Sequence, residues 1–424
     1  MRFYTLVKTV PLIDQQAGIK HYCTAFRGTG GVIKRNPEDF LVSEILNRQY
    51  LENLSKHSTS TYRFPVFVLK KHNIDSNHAI IEIRNKLDLE LRVLGIKDAK
   101  ASTMQFATTI QKTRNPPLST KTYHTEIRLI GYGSTLLSKS DLWGNQFTVL
   151  IVEPRHADLT DFLPEIDRIP NFYGLQRFGS ERMVTHSVGR EILKGNFKRA
   201  SELLLTETTN YDTAYSREIR EQLSDPSNYN KLMGLLPKGM DIEREIVRSL
   251  LYKRDYIRAL RAIPIGIRRL YVQAYQAYVF NLCISESLFC GEDITKCMDG
   301  DLCFEIEGND VLGKIRKLNP SIDTSSTVLP ALRLVGYTFQ TGKGRFESTS
   351  QKILKEEGLT PRDFYIRDMQ ELSAKGGFRQ SVLWCKGFSH FGSLHISFKL
   401  PKGSYATTLL REIMKPDSPI EAGF

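Results

Sequence analysis

The sequence predicts an α+β protein, and three observations predict it. Between Phe40 and Val152, apolar runs at strand period mix with residues at helical spacing, without regular strand–helix–strand alternation. From His186 to about Phe289 nearly every segment carries helical periodicity. Strand-like runs then return among glycine-containing turns, and again near Phe378. A chain of 424 residues exceeds the size at which one hydrophobic core keeps growing, so two domains are expected. The helical one reads as an insertion with joins near 186 and 372, leaving residues 1–185 and 373–424 as the two parts of the first domain.

The elements follow in order. Pro65 to Leu69 is an apolar run fit for a buried strand. Ala79, Ile80, Ile83 and Leu87 repeat at helical spacing, with Ser76 or Asn77 as the cap. Asp88 to Val93 alternates, placing Leu89, Leu91 and Val93 on one face of a half-buried strand, and Ala99 to Ile110 reads as a helix. Phe147 to Val152 is a further strand. Helices are then expected over Ser187–Lys194, Phe197–Leu205, Thr213–Gln222, Ile242–Lys253, Tyr256–Arg261 and Arg268–Leu288. Leu302–Ile306 and Leu332–Tyr337 complete the set as strands.

Composition narrows the function classes. Lys and Arg number 59 against 47 Asp and Glu, a net charge of +12, which favours a polyanionic partner because cationic side chains displace counterions from phosphates. The six cysteines form no Cys-x-x-Cys pair and sit beside no histidine cluster, so neither a zinc site nor a disulfide framework is expected. No apolar run approaches the roughly 20 residues that span a bilayer, and mean hydropathy is −0.30. Met1 to Ile19 lacks the apolar core of a signal peptide. Gly28-Thr29-Gly30-Gly31 and Gly342-Lys343-Gly344 lack the context of a phosphate-binding loop and read as turns. The nine histidines include no His-Glu-x-x-His.

The most informative stretch is Gly95 to Gln105, Gly-Ile-Lys-Asp-Ala-Lys-Ala-Ser-Thr-Met-Gln. Read as a strand-to-helix turn, it projects the carboxylate of Asp98 from a rigid base, as a catalytic group requires. An aspartate before a helix is equally the residue that caps free backbone N–H groups. The turn alone leaves both roles open.

Four segments in order carry a resemblance. Gly-x-Lys-Asp followed by Ala, Thr and Gln at these offsets is similar to the catalytic signature of the TruD family of pseudouridine synthases. Lys34 to Glu44 (Lys-Arg-Asn-Pro-Glu-Asp-Phe-Leu-Val-Ser-Glu) resembles that family's N-terminal block, Asn171 to Gly179 (Asn-Phe-Tyr-Gly-Leu-Gln-Arg-Phe-Gly) its best known motif, and Leu400 to Lys415 its C-terminal ending. The resemblance implies an antiparallel-sheet pseudouridine synthase fold carrying a largely helical family-specific insertion. It implies isomerisation of uridine to pseudouridine in tRNA, at position 13, without cofactor or metal.

By that resemblance Asp98 is the catalytic carboxylate, attacking the sugar carbon or removing a sugar proton. Lys34, six residues before Phe40, matches the family's active-site lysine and would keep Asp98 ionised. Tyr173 and Phe40 are candidates to receive the extruded base. Asn171 would orient the Asp98 loop or bond the nucleotide. Arg177, Arg182, His186, Arg268, Arg269, Lys402 and Arg411 are candidate RNA contacts, while the tyrosines from Tyr271 to Tyr278 fall at a spacing that favours helix packing. The expected partner is tRNA, with no membrane, and the expected location is cytoplasmic. Two rivals remain at this point, a non-catalytic RNA-binding protein of the same fold and a glycosidase or nucleoside hydrolase with paired carboxylates.

The charge balance makes a prediction of its own. Affinity for tRNA should drop by about tenfold or more as salt rises from about 50 to 200 mM, because each neutralised phosphate releases counterion. A titration at a series of salt concentrations checks it.

Overall fold

A computed structural model describes residues 8–95, 97, 101–109, 116–307, 311–319, 328–342, 344–392 and 394–424. In chain order these form α1 (Leu12–Gln16), β1 (Phe40–Leu46), α2 (Arg48–Glu52), β2 (Phe64–His72), α3 (Ser76–Leu87), β3 (Arg92–Val93), β4 (Ser102–Thr108), β5 (Ser119–Lys121), β6 (Thr125–Gly133) and β7 (Leu142–Leu150). A run of helices follows: α4 (Thr185–Leu193), α5 (Phe197–Thr206), α6 (Ala214–Gln222), α7 (Tyr229–Leu232), α8 (Asp241–Tyr252), α9 (Tyr256–Ala262) and the long α10 (Ile265–Phe289). The remainder is β8 (Leu302–Glu307), β9 (Val311–Lys317), β10 (Val328–Leu334), α11 (Arg345–Glu356), β11 (Gly377–Gln380), β12 (Lys386–Phe391), β13 (His395–Pro401) and α12 (Ala406–Met414). The fold is α+β.

Among the described residues, the larger sheet has nine strands in the order β12-β13-β7-β1-β4-β2-β6-β5, with β3 beside β4. The expectation of an antiparallel sheet needs one correction, because β1 and β4 run parallel, Val42 opposite Thr103. The flanking pairs β1–β7 and β2–β4 are antiparallel. The smaller sheet runs β11-β10-β8-β9. Its outer strand Gly377–Gln380 lies beyond residue 372, and one apolar cluster runs from Ala17 to Ala422.

The helix expected over Ala99–Ile110 is a strand where the structure describes it, Ser102–Thr108. The cause is position. β4 is sandwiched between β1 and β2, and Thr103, Gln105, Phe106, Ala107 and Thr108 are all buried. A strand covered on both faces loses the alternation that distinguishes it from a buried helix. The half-buried strand expected over Asp88–Val93 shrinks to two residues, although Leu89 and Leu91 are buried as foreseen. Helix α3 is capped by Asp75, whose carboxylate accepts from the Asn77 and His78 backbone N–H groups, rather than by Ser76 or Asn77. Helices α4 to α6 and α8 to α10 begin and end within about three residues of their expected bounds, and the short α7 (Tyr229–Leu232) was not foreseen. Cys297 and Cys303 are joined as a disulfide, against the expectation that the cysteines are all free, and Cys290 is exposed.

Helix α10 is the axis of the helical layer. Its Tyr271 and Tyr275 are buried, as their spacing suggested. Helix α4 crosses it at Gly189, where an added Cβ would lie 2.0 Å from the Tyr271 carbonyl oxygen. No side chain can yield there, since the opposing atom is backbone. Gly189→Ala should therefore force the two helices apart and lower stability by about 1–3 kcal/mol, measured by denaturant unfolding.

Candidate active site

The face of the larger sheet that carries the site is set by register. On β1, Phe40, Val42 and Glu44 share one side, and Val42 lies between Thr103 of β4 and Phe147 of β7. Glu44 stands opposite Asn145. A cavity of about 260 Å³ opens on this face. Its sheet wall is Phe40, Val42, Ala101, Thr103, Asn145 and Phe147. Gln176 and the segment Ser404 to Thr407 form another wall, and Lys34 and Lys97 complete it. Lys34 takes a left-handed backbone with φ of 56°, and its ammonium sits 4.8 Å from the centroid of the Phe40 ring, a cation–π contact.

Asp98 lies outside the described residues. Among the described residues, Gly95 and Lys97 before it and Gln105 after it are firmly held. Glu44, buried, accepts from Lys97 Nζ at 2.9 Å and from the Phe106 backbone N–H at 2.8 Å. The Lys97 backbone N–H donates to Ser76 Oγ at 2.9 Å, and that hydroxyl donates to Gln105 Oε1 at 2.9 Å. Gln105 Nε2 in turn donates to the Gly95 carbonyl at 2.6 Å. The segment on the N-terminal side of Asp98 is thus tied to β1, β4 and the start of α3. Gln105, for which the sequence offered no role, is one of the ties.

Asn171 and Tyr173 lie one layer further in. Asn171 is fully buried, its Oδ1 accepts from Arg379 Nη2 at 2.8 Å, and its amide donates to the Gln380 carbonyl. Arg379 also donates to the Gly403 and Phe172 carbonyls, and its guanidinium lies 4.0 Å from the centroid of the Tyr173 ring. Burial lowers the Arg379 pKa, opposed by the phenols of Tyr173 and Tyr405. Tyr173 meets Tyr405 edge-on at 5.8 Å, and Tyr405 is the ring that lines the cavity. Arg177 donates from Nη2 to the Tyr405 hydroxyl at 3.0 Å. Of the residues singled out in the sequence, Lys34 and Phe40 meet at the cavity, whereas Asn171, Tyr173 and Arg177 support Tyr405 behind it.

Several expected RNA contacts are structural instead. Arg182 pairs with Glu243 and donates to the Leu203 and Leu204 carbonyls at the end of α5. His186 packs against Phe178 and Tyr278, and burial, aided by Arg190, pushes its pKa down to about 4, so it is uncharged near neutral pH. Arg268 pairs with Glu371, and Arg411 is buried against Asp14. Tyr405 and Glu44 were missed although both belong to segments that carried the resemblance. Thr103 belongs to the Gly95–Gln105 signature but was given no role there, whereas Arg379 and Asn145 had no signal at all, since only the fold brings them to the site.

Glu44 offers a direct test of how the Asp98 segment is held. Glu44→Ala removes a buried carboxylate that two donors depend on, and should cost about 3 kcal/mol or more in urea unfolding. Glu44→Gln keeps an acceptor for the Phe106 N–H and should cost less.

Among the described residues, no helix is long and apolar enough to cross a membrane, and no group of three or more His, Cys, Asp or Glu could hold a metal ion. The family model described as tRNA pseudouridine synthase D (TruD) matches residues 16–413. A protein of Pyrobaculum islandicum assigned as tRNA pseudouridine synthase D is 30% identical over 426 residues, covering 98% of this chain and 99% of its own. A Methanosarcina mazei protein with the same assignment is 29% identical over 442 residues, covering 96% and 98%. A crystal structure of a Methanosarcina mazei protein so assigned superposes with a TM-score of 0.77 at 26% identity, over 97% of this chain and 99% of that one. The signature around Asp98 and these likenesses agree, and the chain belongs to the TruD family of tRNA pseudouridine synthases, which isomerise uridine to pseudouridine.

Proposed function

We propose that this protein converts uridine to pseudouridine in tRNA, at position 13, with Asp98 as the catalytic carboxylate and Lys34 as its cationic partner. The observation that carries the reading is the cavity. Lys97 and Ala101, which bracket Asp98 and its two following residues in the chain, both line it, and so do Lys34 and Phe40. A carboxylate carried on that segment has the Lys34 ammonium at the same cavity to favour its ionised form, while the Lys97 ammonium is paired with Glu44. The domain division at about 186 and 372 and a cytoplasmic location belong to the same reading.

The chemistry breaks the bond between the ribose carbon and N1, turns the base, and joins C5 to the same carbon. N1 gains a proton and C5 loses one, so the atoms balance without a second substrate. The carboxylate either attacks the sugar carbon or takes a sugar proton, and either route needs it ionised. Phe40, Phe147 and Tyr405 supply the apolar faces that a base leaving its stack requires. Tyr173, Asn171 and Arg177 serve by holding Tyr405.

Asp98→Asn keeps the shape and removes the charge. Pseudouridine formation in an unmodified tRNA transcript, mapped by chemical labelling, should fall by a hundredfold or more, by about the worth of a positioned catalytic group. Melting temperature and tRNA binding should stay near wild type, and Lys34→Met should slow turnover less completely. Continued conversion by Asp98→Asn would remove Asp98 from the mechanism.

A further inference from the structure

Three polar side chains that line the cavity have an atom without a hydrogen-bond partner among the described residues. These are Thr103 Oγ1, Asn145 Oδ1 and Ser404 Oγ, all buried from solvent. Thr103 as a whole is only 3% exposed. Buried polar atoms are nearly always paired, so three orphans around one cavity need an explanation. They stand on separate elements, β4, β7 and the turn before α12, and their side chains contribute to the walls of the same space.

The substrate supplies what they lack. Uracil carries a donor at N3–H flanked by two carbonyl acceptors, O2 and O4. A half-turn about the line through N3 and C6 brings C5 to the place of N1, exchanges O2 with O4, and leaves N3–H where it was. A site that bonds this edge therefore holds the ring equally well before and after the isomerising turn. Cytosine has an acceptor at N3 and an amino group in place of one carbonyl, so the same site rejects it in both orientations. A carboxamide offers an acceptor and donors together, and each hydroxyl can donate to a carbonyl.

Building on the function proposed above, we infer that Thr103, Asn145 and Ser404 form the reader of the uracil edge, with Asn145 accepting from N3–H and the hydroxyls donating to the two carbonyls. They are specificity residues, distinct from the carboxylate that acts on the sugar. These atoms have no partner in the free protein, and the uracil edge would supply one to each.

Thr103→Val and Asn145→Ala test this with full-length protein and an unmodified tRNA transcript. Each should lower kcat/KM for pseudouridine formation by about tenfold to a hundredfold, the loss expected for one hydrogen bond in a desolvated site. Affinity for tRNA, set by phosphate contacts, should be unchanged. Thr103→Val should also keep or raise the melting temperature, because it removes a buried hydroxyl that has no partner, whereas a structural threonine would lower it. Turnover within twofold of wild type in both variants overturns the inference, as does a loss of activity that only follows a fall in melting temperature. Wild-type protein that makes no pseudouridine in any transcript overturns the proposed function instead, and with it this assignment.

Discussion

The carboxylate of Glu44 is the contact on which the site depends. It sits on the central strand pair of the larger sheet, fully buried, and its charge is met by Lys97 Nζ and the Phe106 N–H. Burying a carboxylate costs several kcal/mol unless it is paired and hydrogen-bonded. The pairing that offsets this cost is also the one that ties the segment before Asp98 to the sheet. The same group thus links the parallel β1–β4 pair to the segment that carries Asp98. A hydrophobic residue at position 44 would satisfy the core and lose the tether. The Ser76–Gln105–Gly95 chain of bonds repeats the tie with neutral groups, so the segment is held at both its backbone and its side chain.

Arg379 solves a different problem. It is buried with no carboxylate paired to it among the described residues, and its charge is met by the carbonyls of Asn171, Phe172 and Gly403 and by the faces of Tyr173, Phe280 and Tyr405. A guanidinium tolerates this better than an ammonium, since it is planar, weakly hydrated and stacks on rings. One side chain thereby joins the Asn171 motif to the turn before α12, two segments more than 200 residues apart in the chain. The demand on Asn171 is then to bind Arg379 and Gln380, and its influence on the cavity passes through the aromatic layer to Tyr405.

Much of this was legible in the sequence, and the gaps have physical causes. Helices α4 to α6 and α8 to α10 were readable because each buries one face, which writes a period into the chain; the four-residue α7 is too short to write one. Strand β4 was not, since burial on both faces erases the alternation, and the reading took it for a helix. Lys34, Phe40 and Asp98 could be named because they lie in continuous segments that resemble a family. Asn145 and Arg379 lie on strands whose local sequence looks like any other, and they reach the site only through register across β1 and β7 or through the second sheet. The basic residues beside the Asn171 motif illustrate the converse. Arg182 and His186 were chosen for charge and position, but charge alone does not distinguish a phosphate contact from a helix cap.

That last point bears on how the protein meets RNA. Each internal ion pair, such as Arg182–Glu243, Arg345–Asp301 or Arg411–Asp14, removes one charge of each sign. Pairing therefore leaves the excess of +12 intact and shifts it to the rest of the surface. Arg379, with carbonyls and rings for partners, takes only its own charge inside. The arginines nearest the motifs are consumed in building the site, while the surplus that attracts a polyanion is spread over side chains outside it. Affinity and selectivity then reside in different places. The diffuse surplus draws in any RNA through its phosphates. Selectivity for a uridine must come from a cavity of about 260 Å³ whose walls offer aromatic faces and a few polar atoms, because phosphates are the same beside every base.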